Sequence, residues 1–164
     1  MISLDGNTFE EGIHIVSGRI GSGKSTFARR LTGSDAVFSG RRRVMLFQEI
    51  EYHLTESTLG KELFSWGVTG DEPAFSLWNK TDLFRDPYTL SRGELKRFLL
   101  SCLLSADADC LILDEPYASL DAEAKEILTD ILKRREGITI LFTHEKPELD
   151  AVRWEIRGGK LCQI

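Results

Sequence analysis

The chain is 164 residues long, with 41% hydrophobic residues, 29% charged residues and a formal net charge of −5. That length fits one domain burying roughly 70% of its unfolded surface, and the ordinary composition excludes a low-complexity chain. The acidic balance argues against nucleic acid or an anionic lipid surface as a partner.

In chain order, the opening MISLDGNTFEEG has no basic start followed by an apolar stretch, so no signal peptide is expected. IHIVSG, Ile13 to Gly18, is a β-branched run ending in glycine and predicts a strand; a loop and then a helix through Leu31 follow it directly. RRVMLFQE predicts a second strand, DCLILDEP a third and GITILFTHE a fourth, each apolar on both faces as covered parallel strands are. Between them, Leu95, Phe98, Leu99, Cys102 and Leu103 form one helical stripe. The apolar run FLLSCLL at Phe98 to Leu104 is far too short to cross a bilayer, so a membrane role would be peripheral. Asp121 caps a further helix with Ile127, Leu128, Ile131 and Leu132 facing inward before Gly137 ends it. WEIRGGKLCQI reads as a closing hairpin around Gly158-Gly159. The basic runs Arg41-Arg42-Arg43 and Lys133-Arg134-Arg135 are expected to be solvated faces. Of three cysteines, Cys102 and Cys110 lie in apolar stretches and read as buried reduced thiols of a cytosolic protein. The expected organisation is one α/β domain, with a core at roughly 1–50 and 105–164 and a small helical lobe at roughly 51–104.

Two segments carry chemistry. GRIGSGKS has the spacing of a phosphate-cradling loop: Gly18, four residues, then Gly23-Lys24-Ser25. Backbone N–H groups from Gly21, Ser22, Gly23, Lys24, Ser25 and Thr26 would point into a concavity at the start of a helix, where the dipole also favours an anion. Lys24 would reach the β- and γ-phosphates and Ser25 a Mg²⁺ position. CLILDEP delivers Asp114 to the carboxyl end of a buried strand, where ligands collect in open α/β sheets. Asp114 can hold Mg²⁺, and Glu115 can accept a proton from an attacking water.

Carrying these segments, the chain resembles the ATP-binding cassette (ABC) ATPases along most of its length, with the family's motifs in the family's order. GRIGSGKS resembles the Walker A loop and CLILDEP the Walker B strand. LFQE places Gln48 where the family's glutamine senses Mg²⁺ and the attacking water. LSRGE resembles the signature motif, ASLD puts Asp121 in the D-loop, and FTHE puts His144 where the switch histidine contacts the γ-phosphate. The resemblance implies a P-loop NTPase fold: a mainly parallel sheet flanked by helices, with a trimmed antiparallel β-subdomain and a small helical lobe. It implies ATP and Mg²⁺ as ligands, with Ser25, Gln48 and Asp114 around the metal and Glu115, His144 and Gln48 as the catalytic set. Ser91 and Gly93 would meet the ATP of a second copy or homologous subunit in a head-to-tail dimer.

Some positions depart from the family pattern. The adenine-stacking aromatic of the family lies well upstream of the loop, where only seventeen residues precede Gly18. Arg92 replaces the signature's glycine, either reaching the partner's phosphates or hindering close approach, and Glu94 replaces a glutamine. Three readings compete: an ATPase subunit driving a separate membrane permease from the cytoplasmic face, a soluble non-transport ABC ATPase, and an ATP-binding module with weak turnover.

Overall fold

Strands β6 (Cys110–Asp114) and β7 (Ile138–Phe142) are buried at every residue, which is why CLILD and ITILF show no alternation of apolar and polar residues. The protein is seen in a computed structural model that describes residues 1–78 and 82–164; residues 79–81, within the expected lobe, lie outside the described residues. The chain forms two compact units, one of residues 1–48, 108–116 and 132–164, the other of residues 49–107 and 117–131.

In the first unit, β3 (Gly12–Ser17), β5 (Arg43–Leu46), β8 (Val152–Arg157) and β9 (Lys160–Gln163) join β6 and β7 in a six-stranded sheet ordered β5-β6-β7-β3-β8-β9. All pairings are parallel except β8 with β9, the closing hairpin, where Arg157 faces Lys160 across a Gly158-Gly159 turn. Strands β1 (Ile2–Leu4), β2 (Asn7–Phe9) and β4 (Val37–Phe38) make a separate antiparallel sheet ordered β2-β1-β4. The β1–β2 turn is Asp5-Gly6, both at positive φ, the geometry that Asp-Gly favours in a two-residue hairpin. Helix α1 (Lys24–Thr32) buries Phe27, Ala28 and Leu31. These side chains join Ile2, Phe9, Val16, Ile112, Ile140, Phe142 and Trp154 in one apolar cluster, the Val, Leu, Ile and Phe members each contributing about 1.5–3 kcal/mol by leaving water.

Two arginines correct the expectation that the basic runs are solvated. Arg43 donates to the carbonyls of Leu31, Thr32 and Gly33 at 2.8, 2.9 and 2.8 Å, and its guanidinium lies 5.6 Å from the Phe38 ring centre. The end of α1 leaves carbonyls without helical partners, and a planar five-donor cation satisfies several at once. Arg135 donates to the carbonyls of Ala108, Glu136 and Ile138 and to Thr139 Oγ1. Arg41, Arg42, Lys133 and Arg134 are exposed, as expected.

The second unit contains α2 (Leu59–Trp66), α3 (Arg92–Ser105) and most of α4 (Ala122–Arg134), together with short 3-10 turns at Ile50–His53, Pro73–Leu77 and Pro87–Thr89. Helix α2 starts at a Thr58 cap and ends at Gly67 in the left-handed region. Helix α4 starts where the Asp121 carboxylate accepts from the Ala124 N–H at 2.9 Å. The expected stripe of α3 is buried, but so are Lys96, Leu100 and Ser101, so this helix is covered on more than one face. Trp78 packs edge-on to Phe98 at 4.9 Å. The buried Glu62 carboxylate accepts from the N–H groups of Thr55 and Glu56 and from the Trp66 indole. All three cysteines are free; Cys102 and Cys110 are buried and Cys162 is exposed. Among the described residues no helix is long and apolar enough to cross a membrane.

Two histidines tie the fold to pH. The Trp154 indole N–H can only donate, so His14 Nδ1, 3.2 Å away, must accept, and His14 Nε2 carries the proton toward the Glu10 carbonyl at 2.9 Å. Burial holds the His14 pKa below its usual value. Burial, with the Lys96 charge, pushes His53 down to about 4. Folded pKa values below the unfolded value near 6.5 mean that the unfolded chain binds more protons, so this stability is present above pH 6.5 and lost as pH falls. Urea unfolding followed by tryptophan fluorescence should give a flat stability from pH 8 to 7. Below pH 6.5 it should decline by up to about 1.4 kcal/mol per pH unit for each imidazole.

Candidate active site

Parallel register brings four strand ends to one edge of the first unit's sheet. Asp114 pairs with Phe142, Val16 with Phe142 and Leu46 with Leu113. The residues that follow, Gly18 after β3, Gln48 after β5, Glu115 after β6 and His144 after β7, therefore all leave the sheet from its carboxyl edge, where ligands bind in open α/β sheets. Two hydrogen bonds carry the ladder past the strands: Glu115 N–H to the Phe142 carbonyl at 2.8 Å and Thr143 N–H to the Val16 carbonyl at 3.2 Å.

From β3 the chain turns through Gly18–Gly23 into α1. Gly21 and Gly23 have φ of 78° and 94°, a region that side-chain-bearing residues rarely enter, and Gly23 is the N-cap. The Ser22 N–H donates to the Arg19 carbonyl at 3.0 Å, and the Phe27 N–H to the Gly23 carbonyl at 2.8 Å. Lys24 Nζ folds back onto the carbonyls of Gly18 and Arg19 at 2.9 and 3.3 Å. No acidic side chain occupies the first turn of α1 itself. Ser22 Oγ is buried without a hydrogen-bond partner among the described residues, a polar atom whose burial is costly unless a ligand meets it.

A cavity of about 320 Å³ lies over this helix end, lined by Ile20, Gly21, Gly23, Lys24, Ser25, Thr26, Gln48 and Glu115. Glu115 sits at φ 49°, a strained value for a residue with a side chain, and its carboxylate is 12% exposed. His144 Nδ1 lies 3.0 Å from Glu115 Oε2, while the histidine side chain is 66% exposed. Asp114 ends β6 and is buried.

The donors expected around a metal are a hydroxyl (Ser25), an amide (Gln48) and one carboxylate (Asp114). Mg²⁺ is usually held by one or two carboxylates, water and substrate phosphates. All three are hard oxygen donors with a single carboxylate, a set that fits a Mg²⁺ whose other positions are filled by water and phosphate.

Ser91 and Gly93 belong to the second unit. Ser91 is the N-cap of α3, its hydroxyl accepting from the Glu94 N–H while the Glu94 carboxylate accepts from the Ser91 N–H, a reciprocal cap. Those bonds hold the Glu94 carboxyl below its usual pKa. In the same unit Arg97 pairs with Asp121. A second cavity of about 440 Å³ beside the loop is lined by Gly21, Ser22, Ile156 and Gly158 and by Arg19, Ile20, Glu155 and Arg157, none of which was expected at a site. An aliphatic residue among glycines in GRIGSGKS was the available signal.

The family model described as ABC transporter matches residues 3–118. The chain is 29% identical over 167 residues to the energy-coupling factor transporter ATP-binding protein EcfA2 of Halalkalibacterium halodurans, a match covering 79% of this chain and 59% of that protein. It is 30% identical over 152 residues to the ribosome protection protein VmlR of Bacillus subtilis, covering 91% of this chain and 27% of that protein. The match thus spans less than two thirds of the length of either relative. A solved ATP-binding cassette, dimeric and bound to ADP and Pi, superposes with a TM-score of 0.74 at 15% identity, covering 96% of this chain and 88% of that one, and shares the fold. The match runs from β1 through the phosphate loop and past the end of β6, and by it the chain belongs to the ABC transporter family.

Proposed function

We propose that this chain is an ATP-binding and ATP-hydrolysing subunit of an ABC transporter, acting at the cytoplasmic face of a membrane. It pairs head to tail with a second ATPase subunit and couples closure of that pair to a separate permease. The observation that carries this reading is one cavity that combines Lys24, Ser25 and Thr26 of the phosphate loop with Gln48 and Glu115. A loop that only held a phosphate would need neither of the last two. We also read the two compact units as core and lobe of a single ATPase domain.

The N–H groups of Gly21 to Thr26 donate to phosphate oxygens, and Ser22 Oγ gains the partner it lacks. Lys24 exchanges the Gly18 and Arg19 carbonyls for the β- and γ-phosphates. Mg²⁺, held by Ser25, Gln48 and Asp114, would supply charge to offset that building on the phosphate oxygens. Gln48 orients a water, and Glu115 takes its proton as the water oxygen bonds to the γ-phosphorus and the bond to the β-phosphate oxygen breaks, leaving ADP and phosphate. His144, with Nδ1 3.0 Å from Glu115 Oε2, bounds that carboxylate on one side and would leave its other oxygen for the water. In the partner's site, the N-terminus of α3 at Ser91 and Gly93 adds a second anion-binding end, so closure of the pair depends on ATP.

Two tests bear on this reading. Calorimetry with Mg²⁺ and ATP should show Lys24→Ala weakening binding at least about 30-fold, the equivalent of roughly 2 kcal/mol for a removed charge partner. The likeness to a ribosome protection protein supports a second reading, a non-transport ABC ATPase acting on ribosomes. Affinity capture of the tagged chain from detergent-solubilised membranes should recover a partner with several membrane-spanning helices; co-sedimentation with ribosomes instead would favour the second reading.

A further inference from the structure

Glu62, on α2, is fully buried, and no step of the proposed reaction uses it. A buried carboxylate is costly unless its oxygens are met, and here both are. Oε2 accepts from the N–H groups of Thr55 and Glu56 at 3.1 and 2.9 Å, and Oε1 accepts from the Trp66 indole at 3.3 Å. The Trp66 ring, held by that bond one turn further along α2, lies 6.3 Å from the His53 ring at an angle of 44°. One side chain therefore clamps the chain on both sides of Leu54, reaching His53 through the indole and Thr55 and Glu56 directly.

The clamped stretch is the one that follows Gln48. The first unit ends at Gln48 and the second begins at Glu49. Two residues before Gln48 is Leu46, the buried last residue of β5. Two residues after it is Ile50, buried, which opens the 3-10 turn Ile50–His53 that packs on α3. The Tyr52 N–H donates to the Glu49 carbonyl at 3.3 Å and the Leu54 N–H to the Glu51 carbonyl at 3.2 Å, so the chain from Glu49 to Glu56 is tied along its length. Gln48 itself is exposed, and the backbone on either side sets where its amide can reach. We propose that Glu62 is a positioning residue for Gln48: by fixing the stretch that starts at the next residue, it holds the Gln48 amide where it orients the attacking water. This rests on the ATP-hydrolysis reading above and adds a residue that acts on the reaction only through another. A misplacement of about 1 Å can slow a reaction by about a hundredfold. Glutamine cannot replace the carboxylate in this clamp. It offers one accepting oxygen and one NH₂ donor, so whichever way its amide turns, an N–H partner is left facing another N–H.

The test is a double-mutant cycle on the full chain, with turnover and calorimetric ATP affinity measured at saturating Mg²⁺ for wild type, Glu62→Gln, Gln48→Ala and the double variant. Glu62→Gln should lower turnover at least about tenfold while ATP affinity stays within about twofold, because the phosphate loop is untouched. In the Gln48→Ala background the same change should cost no more than about a further twofold, since its effect passes through Gln48. Trp66→Phe, at a half-buried position, removes only the indole donor and should give the same pattern with a loss of about threefold; it carries the test if Glu62→Gln does not fold. Fully additive losses in the double variant, an equal fall in ATP affinity and turnover, or unchanged turnover in Glu62→Gln and Trp66→Phe would overturn the positioning role and leave the ATP reading standing. Wild-type turnover by Gln48→Ala would remove the role of Gln48 and the positioning with it. No turnover by wild type would remove the hydrolysis reading and this inference together.

Discussion

Because β5, β6, β7 and β3 pair in parallel and in register, the residues that follow each of them must emerge along a single edge. That constraint does most of the assembly. Leu46 faces Leu113, Asp114 faces Phe142 and Phe142 faces Val16, so Gln48, Glu115, His144 and the phosphate loop need no long excursions to leave the sheet side by side. Complete burial of β6 and β7 makes the register expensive to change, since a slip of one residue would reverse every side chain between the two covered faces. The Glu115–His144 contact at 3.0 Å is then a consequence of adjacent strands ending at the same level.

Helix α1 couples this edge to the rest of the unit. Its N-terminal N–H groups are left for a ligand, and its C-terminal carbonyls are taken by Arg43. Both ends of the dipole are thereby matched, one by protein and one by the anion proposed to bind there. Arg43 begins β5, the same strand whose far end leads to Gln48. One short strand therefore closes the helix at one end and supplies a cavity residue at the other.

Much of this could be read from sequence, for identifiable reasons. The strands, the loop and the closing hairpin have local causes: β-branched runs, the GxxxxGKS spacing, and Gly158-Gly159 between two strand-forming runs. The Asp5-Gly6 turn had the same kind of local signal. What could not be read depends on partners distant in the chain. Arg43 and Arg135 look like surface charges within their basic runs, because the carbonyls they satisfy come from the end of another helix and from residue 108. The wider burial of α3 is equally invisible in its own periodicity, since it follows from neighbours such as Trp78. Sequence marked Glu115 and His144 separately; only the pairing of β6 with β7 places them in contact.

In the proposed function Glu115 is the proton acceptor of an ATP-hydrolysing site. The most direct measurement is phosphate release from ATP with Mg²⁺ by the purified chain and by Glu115→Gln, with ATP binding measured alongside. Glu115→Gln should bind ATP within about twofold of wild type but lose at least about a hundredfold in turnover, as expected on removing a general base. Turnover by Glu115→Gln near the wild-type rate would contradict it.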